Sequence, residues 1–102
     1  MIQNVSLNQS DIEQLTGITI IEFGAAWCGY CQAAQTNIGN ALLMFQSVKH
    51  IKIEDGKGQR LGRQYAVKLW PTLVFIKDGV EMNRLVRPDN AELIVNALKL
   101  IV

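Results

Sequence analysis

The 102-residue sequence predicts an α/β fold with a central mixed β-sheet covered by helices on both faces. Two observations predict it. Short strand-like and helix-like segments alternate along the chain, which favours parallel strands joined by helical crossovers. The chain then closes with a predicted hairpin and an amphipathic helix, which adds antiparallel strands to the sheet. The length suits one compact core, so we expect residues 1 to 102 to form a single domain.

Composition and charge exclude several classes of protein. The longest uninterrupted apolar run, residues 41 to 45, is far shorter than a membrane-spanning helix needs. Ten basic and nine acidic residues leave no general basic field for nucleic acid. The first residues lack the basic and long apolar stretches of a secretory signal, so we expect a cytoplasmic protein. One basic segment without acids, residues 57 to 68, gains importance if it borders a functional site.

The first half of the chain predicts a weak strand, a short helix and a buried strand. Residues 2 to 7 form a polar-interrupted strand candidate. Ser10 and Glu13 have the spacing of a capping box, which would open a helix that Gly17 ends. Residues 18 to 23 are β-branched and apolar on both faces except at Glu22, the pattern of a buried central strand.

A long helix and a two-faced strand come next. From Cys28 to about Gln46, apolar residues recur at three- and four-residue spacings along one stripe. Gly39 and Asn40 weaken the middle of this helix. Residues 48 to 54 alternate between a polar and an aliphatic face, which favours a strand.

The last third predicts a short helix, a hairpin and a final helix. The short basic helix covers about residues 59 to 66, and a strand follows at residues 72 to 76. Asp78 and Gly79 form a tight turn to a strand at residues 80 to 86. Asp89 is the predicted cap of the last helix. Its predicted buried residues are Leu93, Ile94, Ala97, Leu98 and Ile101.

The sharpest chemical signal is a pair of cysteines separated by two residues. Cys28 and Cys31, with Gly29 and Tyr30 between them and Trp27 before them, lie where a buried strand gives way to a helix. A helix N-terminus stabilises a thiolate, so the spacing indicates a reversible dithiol. Three other interpretations stay open at this point: half of a zinc site, a structural disulfide, and a dimer-bridging iron–sulfur cluster.

With these residues in view, the sequence resembles the thioredoxin family along essentially its whole length. The resemblance rests on four segments in order: residues 20 to 31, Lys52 in the next strand, residues 65 to 72, and residues 77 to 79. It implies the thioredoxin fold, with a central mixed sheet of four to five strands. It also implies a thiol–disulfide oxidoreductase that reduces or exchanges protein disulfides without a metal or organic cofactor.

The resemblance also implies roles for individual residues. Cys28 is similar to the family's attacking thiolate, Cys31 to its resolving thiol and Pro71 to its cis-proline. The backbone of Trp70 would then be free to pair with an extended substrate segment. The substrate-contacting residues implied in this way are Trp27, Gly29, Tyr30, Trp70, Pro71, Thr72 and Arg87.

Glu22 needs a reason to be inside a buried strand, because burying a carboxylate is costly. The resemblance supplies one: an acid in this position relays the proton of the resolving thiol, with Lys52 as its nearby lysine. A structural Glu22–Lys52 ion pair is the alternative.

Several positions depart from the family pattern. Tyr30 replaces the usual proline between the cysteines, Trp70 replaces a small aliphatic residue, and Arg87 replaces a glycine. These departures leave the chemistry intact and put partner identity in question. We expect a monomer recycled by a thioredoxin reductase-like enzyme. The tyrosine between the cysteines keeps one alternative open, a glutaredoxin-like module that uses glutathione or binds an iron–sulfur cluster.

Overall fold

The computed structural model describes the backbone of residues 2 to 4 and the whole of residues 7 to 102, and it confirms the predicted fold class. The strands form one five-stranded sheet in the order β1-β3-β2-β4-β5. Their bounds are β1 Ile2–Asn4, β2 Ile18–Gly24, β3 Lys49–Glu54, β4 Thr72–Lys77 and β5 Val80–Val86. The helices are α1 Gln9–Glu13, α2 Gly29–Leu43, α3 Arg60–Gln64 and α4 Ala91–Lys99.

The sheet is mixed, as predicted. Strand β3 pairs in parallel with β1 and β2, whereas β4 pairs antiparallel with β2 and β5. Of the strand predicted over residues 2 to 7, Ile2–Asn4 form β1, Val5 and Ser6 lie outside the described residues, and Leu7 is not part of a strand.

Strand β2 divides two hydrophobic cores because its side chains alternate between the two faces of the sheet. Ile20 packs with α2 and α4 on one face, and Ile21 packs with α1 and α3 on the other. The predicted buried central strand is therefore confirmed. Glu22 follows Ile20 by two positions, so it points to the α2 face, where the cysteine pair lies.

Two helix caps differ from the sequence predictions. The capping box of α1 consists of Asn8 and Asp11, whose side chains each accept a hydrogen bond from the other's backbone. Helix α4 is capped by Asn90, so the cap predicted at Asp89 was wrong by one residue. Asparagine caps as well as aspartate does, so neighbouring candidates cannot be separated by residue type alone.

The packing of the two long helices follows the predicted apolar stripes with one exception. Helix α2 is continuous through Gly39 and ends at Leu43, a turn earlier than predicted. In α4, Leu93 is 41% exposed, whereas the other four predicted core residues are buried. In the part of the chain that the structure describes, none of the helices is long and apolar enough to cross a membrane.

Candidate active site

Cys28 is the N-cap residue of α2, and its backbone is extended at the end of the loop from β2. Its Sγ accepts a 3.2 Å hydrogen bond from the backbone N–H of Cys31. Burial opposes ionisation of Cys28. Hydrogen bonds from the thiol of Cys31 and from the amides of Cys31 and Tyr30 outweigh this effect of burial. The positive charge of Arg87 also favours the thiolate, so the pKa of Cys28 is lowered.

Cys31 lies in the first turn of α2 and is 5% exposed. Burial is the main reason that the pKa of this thiol is raised to about 12. The hydrogen bond to Cys28 and the negative charges of Cys28 and Glu22 add to the effect. Both cysteines are free thiols in the structure. The pair therefore has one thiol that ionises readily and one that needs a proton acceptor.

Gly24, the last residue of β2, makes room for the buried thiol. A Cβ atom at this position would lie 2.7 Å from the Sγ of Cys31. Any larger residue would therefore push Cys31 or the start of α2 out of place.

The carboxylate of Glu22 is 1% exposed and is held from two sides. His50 Nε2 lies 2.7 Å from its Oε1, and Gln35 Nε2 donates to its Oε2 at 2.8 Å. Gln35 also donates to the carbonyl oxygen of Cys31 at 2.8 Å, which ties the carboxylate to the turn that carries Cys31. A buried carboxylate with these partners is satisfied without direct contact with a lysine.

Lys52 lies near Glu22 but does not pair with it directly, so the ion pair considered as the alternative is not formed. Its Nζ donates to Gln35 Oε1 at 3.2 Å, and Gln35 in turn donates to the carboxylate. Lys52 is opposite Glu22 in the β2–β3 register, as expected, but the side chain from α2 lies between the two charged groups. The direct contact of the Glu22 carboxylate is made with His50 instead.

A small cavity joins these groups. It has a volume of about 70 Å³ and is lined by Glu22, Cys31 and Lys52 together with residues of the loop after β2. Such a volume is sufficient for water molecules to reach between the thiol and the carboxylate. A proton could thus pass from Cys31 to Glu22 through water.

The Trp70–Pro71 peptide bond is cis, as the resemblance implied. The carbonyl oxygen of Trp70 faces Cys28, whose Sγ lies at 4.0 Å. Thr72 follows as the first residue of β4, buried, with its hydroxyl donating to the carbonyl of Leu69 at 2.7 Å. We therefore interpret the Thr72 side chain as structural, in contrast to its predicted place among the substrate contacts.

Arg87 covers the backbone that was expected to be open to substrate. Its Nε donates to the carbonyl oxygen of Trp70 at 2.7 Å, and its guanidinium lies 3.9 Å from the centre of the Tyr30 ring. Its own N–H donates to the carbonyl of Pro71 at 2.9 Å, with Arg87 at a φ of 51°. The Trp70 carbonyl is thus occupied within the chain, so a substrate strand must share it or displace the arginine.

Aromatic side chains flank the cysteine pair. Trp27 is 70% exposed, so it is not a core residue, and it packs edge-on against Trp70 with ring centroids 5.5 Å apart. The indole of Trp70 donates to the buried Asp55 at 3.0 Å, which fixes this ring in place. Tyr30 is exposed and Gly29 begins α2 with open space around it.

Sequence reasoning missed His50, Gln35, Gly24 and Asp55. For His50 a signal was present: it shares the polar face of β3 with Lys52, the residue opposite Glu22. The position of Gln35 one turn after Cys31 was a weaker signal. Nothing in the local pattern marked Gly24 or Asp55, because their importance comes from contacts made across the fold.

Two thiols three residues apart, with pKa values moved in opposite directions, can attack a disulfide and then release the product. Together with the fold, this geometry defines a thiol–disulfide oxidoreductase. The family model described as Thioredoxin matches residues 3–100. The chain belongs to the thioredoxin family.

Known relatives agree with this assignment. Thioredoxin of Chlamydia trachomatis is 31% identical over 84 residues, which cover 82% of either chain. Thioredoxin H-type 1 of Nicotiana tabacum is 29% identical over 74% of this chain, but the match spans 60% of that relative's own length. The solved structure of reduced thioredoxin 2 from Pseudomonas aeruginosa superposes with a TM-score of 0.83 at 45% identity, covering 92% of this chain and 87% of the other.

Proposed function

We propose that this protein reduces and exchanges disulfides of other proteins, with Cys28 as the attacking thiolate and Cys31 as the resolving thiol. The observation that carries the assignment is the opposite movement of the two pKa values: lowered at Cys28 and raised to about 12 at Cys31. Because the thiolate is the nucleophile, Cys28 is the thiol prepared to attack near neutral pH.

The reaction balances in two steps. The Cys28 thiolate attacks one sulfur of a substrate disulfide, forms a mixed disulfide and releases the other sulfur as a thiolate, which takes a proton from solvent. Cys31 then loses its proton, attacks the Sγ of Cys28 and releases the second substrate thiolate. Two electrons pass to the substrate, and the protein is left with a Cys28–Cys31 disulfide.

Glu22 is the proton acceptor for the second step in this proposal. Its carboxylate shares the 70 Å³ cavity with Cys31, and its negative charge contributes to the raised pKa of that thiol. Lys52 acts on Glu22 through Gln35, as a positioning residue. The Glu22→Gln variant should therefore form the mixed disulfide at the normal rate and resolve it slowly.

The substrate-contacting surface consists of exposed aromatic rings and one cation beside Cys28. Trp27 and Tyr30 offer exposed rings, and Gly29 adds no side chain next to Cys28. The main chain before Pro71 provides hydrogen-bonding groups, and Arg87 provides a guanidinium. These groups suit an extended protein segment with apolar and acidic side chains.

The partners in this proposal are protein disulfides and a thioredoxin reductase-like enzyme that regenerates the dithiol. We propose a monomer that acts in the cytoplasm without nucleic acid or membrane. The small net charge supports the absence of a nucleic-acid partner, because ten basic residues are balanced by nine acidic ones.

Reduction of insulin disulfides by the protein with dithiothreitol as the electron source tests this function. We expect the wild type to accelerate reduction, Cys28→Ser to abolish the acceleration, and Cys31→Ser to accumulate mixed disulfides that identify the partners. A wild type that fails to reduce insulin, but exchanges glutathione disulfides or purifies with bound iron and sulfide, would instead support the glutaredoxin-like alternative.

A further inference from the structure

The buried carboxylate of Glu22 separates two concave regions of the molecule. One is the 70 Å³ cavity shared with Cys31. The other is a more open groove of about 400 Å³ between α2 and β3, lined by His50 and Gln35 with apolar neighbours such as Ile38 and Leu42. Glu22 lines the first region and His50 lines the second, and a 2.7 Å contact joins the two side chains.

His50 lies between the buried carboxylate and the groove. Its side chain is 7% exposed, and its Nε2 points to the acid on which the resolving step depends. Imidazole has two ring nitrogens and exchanges protons near neutral pH, so it can take a proton on one side and release it on the other. The groove gives this ring a route to solvent that does not pass through the substrate surface.

We propose that His50 is a positioning residue that receives the Cys31 proton from Glu22 and releases it to solvent through the groove between α2 and β3. The inference rests on the proposed function and adds the path that the proton takes while substrate covers the front of the site. Each resolving event moves one proton: from Cys31 Sγ to the carboxylate, from the protonated carboxyl to the unprotonated Nε2 of the Nδ1–H tautomer of His50, and from Nδ1 of the imidazolium to water. The carboxylate of Glu22 is then restored beside a neutral ring, whose tautomers exchange through water in the groove.

Other charged groups bear on this path from both sides. Lys52 and Glu54 line the first cavity with Glu22, and Lys49 lines the groove with His50. Cys31 faces the carboxylate from α2. Lys52 touches Gln35 rather than the carboxylate, and Lys49 donates to the carbonyl of Thr16 at 2.8 Å. Of these groups, His50 makes the direct contact with Glu22.

A coloured aromatic disulfide separates the two chemical steps in one stopped-flow experiment. Its first thiolate is released when Cys28 attacks, and its second when Cys31 resolves the mixed disulfide. In His50→Ala, we expect an unchanged first phase and a second phase slowed by about a hundredfold at neutral pH, the lower end of the usual contribution of a proton-transfer group. The slowing should shrink as the pH rises, because hydroxide then takes the proton of Cys31 directly.

Two further variants distinguish proton transfer from packing. His50→Gln keeps a donor beside Glu22 but cannot carry a proton, so its second phase should also be slow. Free imidazole should restore the second phase of His50→Ala by entering the groove, and should fail to restore Glu22→Gln/His50→Ala. Circular dichroism and urea unfolding show whether each variant is folded.

The outcomes are distinguishable from those of the proposed function. A second phase in folded His50→Gln as fast as in wild type would overturn the role of His50, as would equal slowing at every pH without rescue by imidazole. Both results leave insulin reduction by the wild type intact. A wild type that shows neither phase would count against the dithiol function itself.

Discussion

The side chain of Arg87 donates a 2.7 Å hydrogen bond to the carbonyl oxygen of Trp70, the residue before the cis-proline. The same guanidinium stacks on Tyr30, between the two cysteines in sequence. Arg87 thus connects the loop after β5 with the start of α2 across the surface beside Cys28. We interpret this bridge as a feature that a substrate must engage.

Replacing Arg87 by glycine should weaken binding of acidic target segments and lower the free energy of unfolding by about 1 kcal/mol. The variant loses a hydrogen bond and a cation–π contact, each of about 1 kcal/mol. It gains about 1 kcal/mol because glycine tolerates the positive φ of 51° at this position. The measurements are KM for peptide disulfides with and without flanking acids, and urea unfolding.

The matched control is Arg84→Gln. It also removes one positive charge, but Arg84 pairs with Glu81 on β5 rather than with the site. Equal KM changes for acidic and neutral peptides in Arg87→Gly would show that Arg87 does not select charge.

Cys28 should react with iodoacetamide before Cys31 at neutral pH. The pKa of Cys28 is lowered and that of Cys31 is raised to about 12, so only the first thiol has an appreciable thiolate fraction. Mass spectrometry after brief labelling of the reduced protein gives the site of modification. Preferential labelling of Cys31 would reverse the assigned roles.

The sequence predicted the fold and the positions of the two thiols because these depend on local patterns. Alternation of strand and helix periods placed β2, α2 and the hairpin, and the two-residue spacing placed both thiols at the start of a helix. Pro71 was predicted as cis only through the family resemblance, since residue type and spacing do not set that isomer.

The groups around the reacting atoms were harder to predict because register and side-chain reach decide them. Glu22 and Lys52 are opposite each other in the register, yet Gln35 from α2 comes between them and His50 takes the direct contact. Arg87 reaches Trp70 across a distance of 17 residues in sequence. Contacts of this kind can be identified only once the packed structure is known.

Reduced protein should lose stability above about pH 9. The pKa of Cys31 is raised from 9.0 to about 12 on folding, so the folded state holds this proton more tightly than the unfolded state. The stability that this tighter proton binding provides is complete below pH 9 and is lost as the pH rises from 9 toward 12. Urea unfolding under reducing conditions at several pH values measures it.

The oxidised protein is the control, because Cys31 cannot ionise in a disulfide. Its stability should decline less over the same pH interval, as should that of reduced Cys31→Ser. The lowered pKa of Cys28 affects the free energy of unfolding below pH 9. In that range the protein gains stability as the pH rises toward 9. A parallel decline of oxidised and reduced protein above pH 9 would contradict the assignment to Cys31.

Gly24→Ala should destabilise the reduced protein by about 1 to 3 kcal/mol, the usual cost of overpacking. The added methyl group would lie 2.7 Å from the Sγ of Cys31, well inside contact distance. Gly39→Ala is the control: it lies within α2 with open space around it, so alanine should add about 0.5 to 1 kcal/mol through helix propensity. Equal unfolding midpoints for Gly24→Ala and wild type would show that Cys31 can move freely.

The redox potential should lie between those of thioredoxin and protein disulfide isomerase, at about −220 to −260 mV, against about −270 and −180 mV for these proteins. Stabilising the Cys28 thiolate favours the reduced form and raises the potential. Tyr30 lacks the rigidity of the proline usual in thioredoxin, and Arg87 lowers the pKa of Cys28.

Tyr30→Pro should therefore move the potential toward about −270 mV. Arg87→Gln should make it more negative by about 10 to 20 mV, the equivalent of one exposed charge interaction. Equilibration with glutathione buffers, followed by Trp27 fluorescence, measures each value. A wild-type potential at or below that of thioredoxin would show that Tyr30 does not determine it.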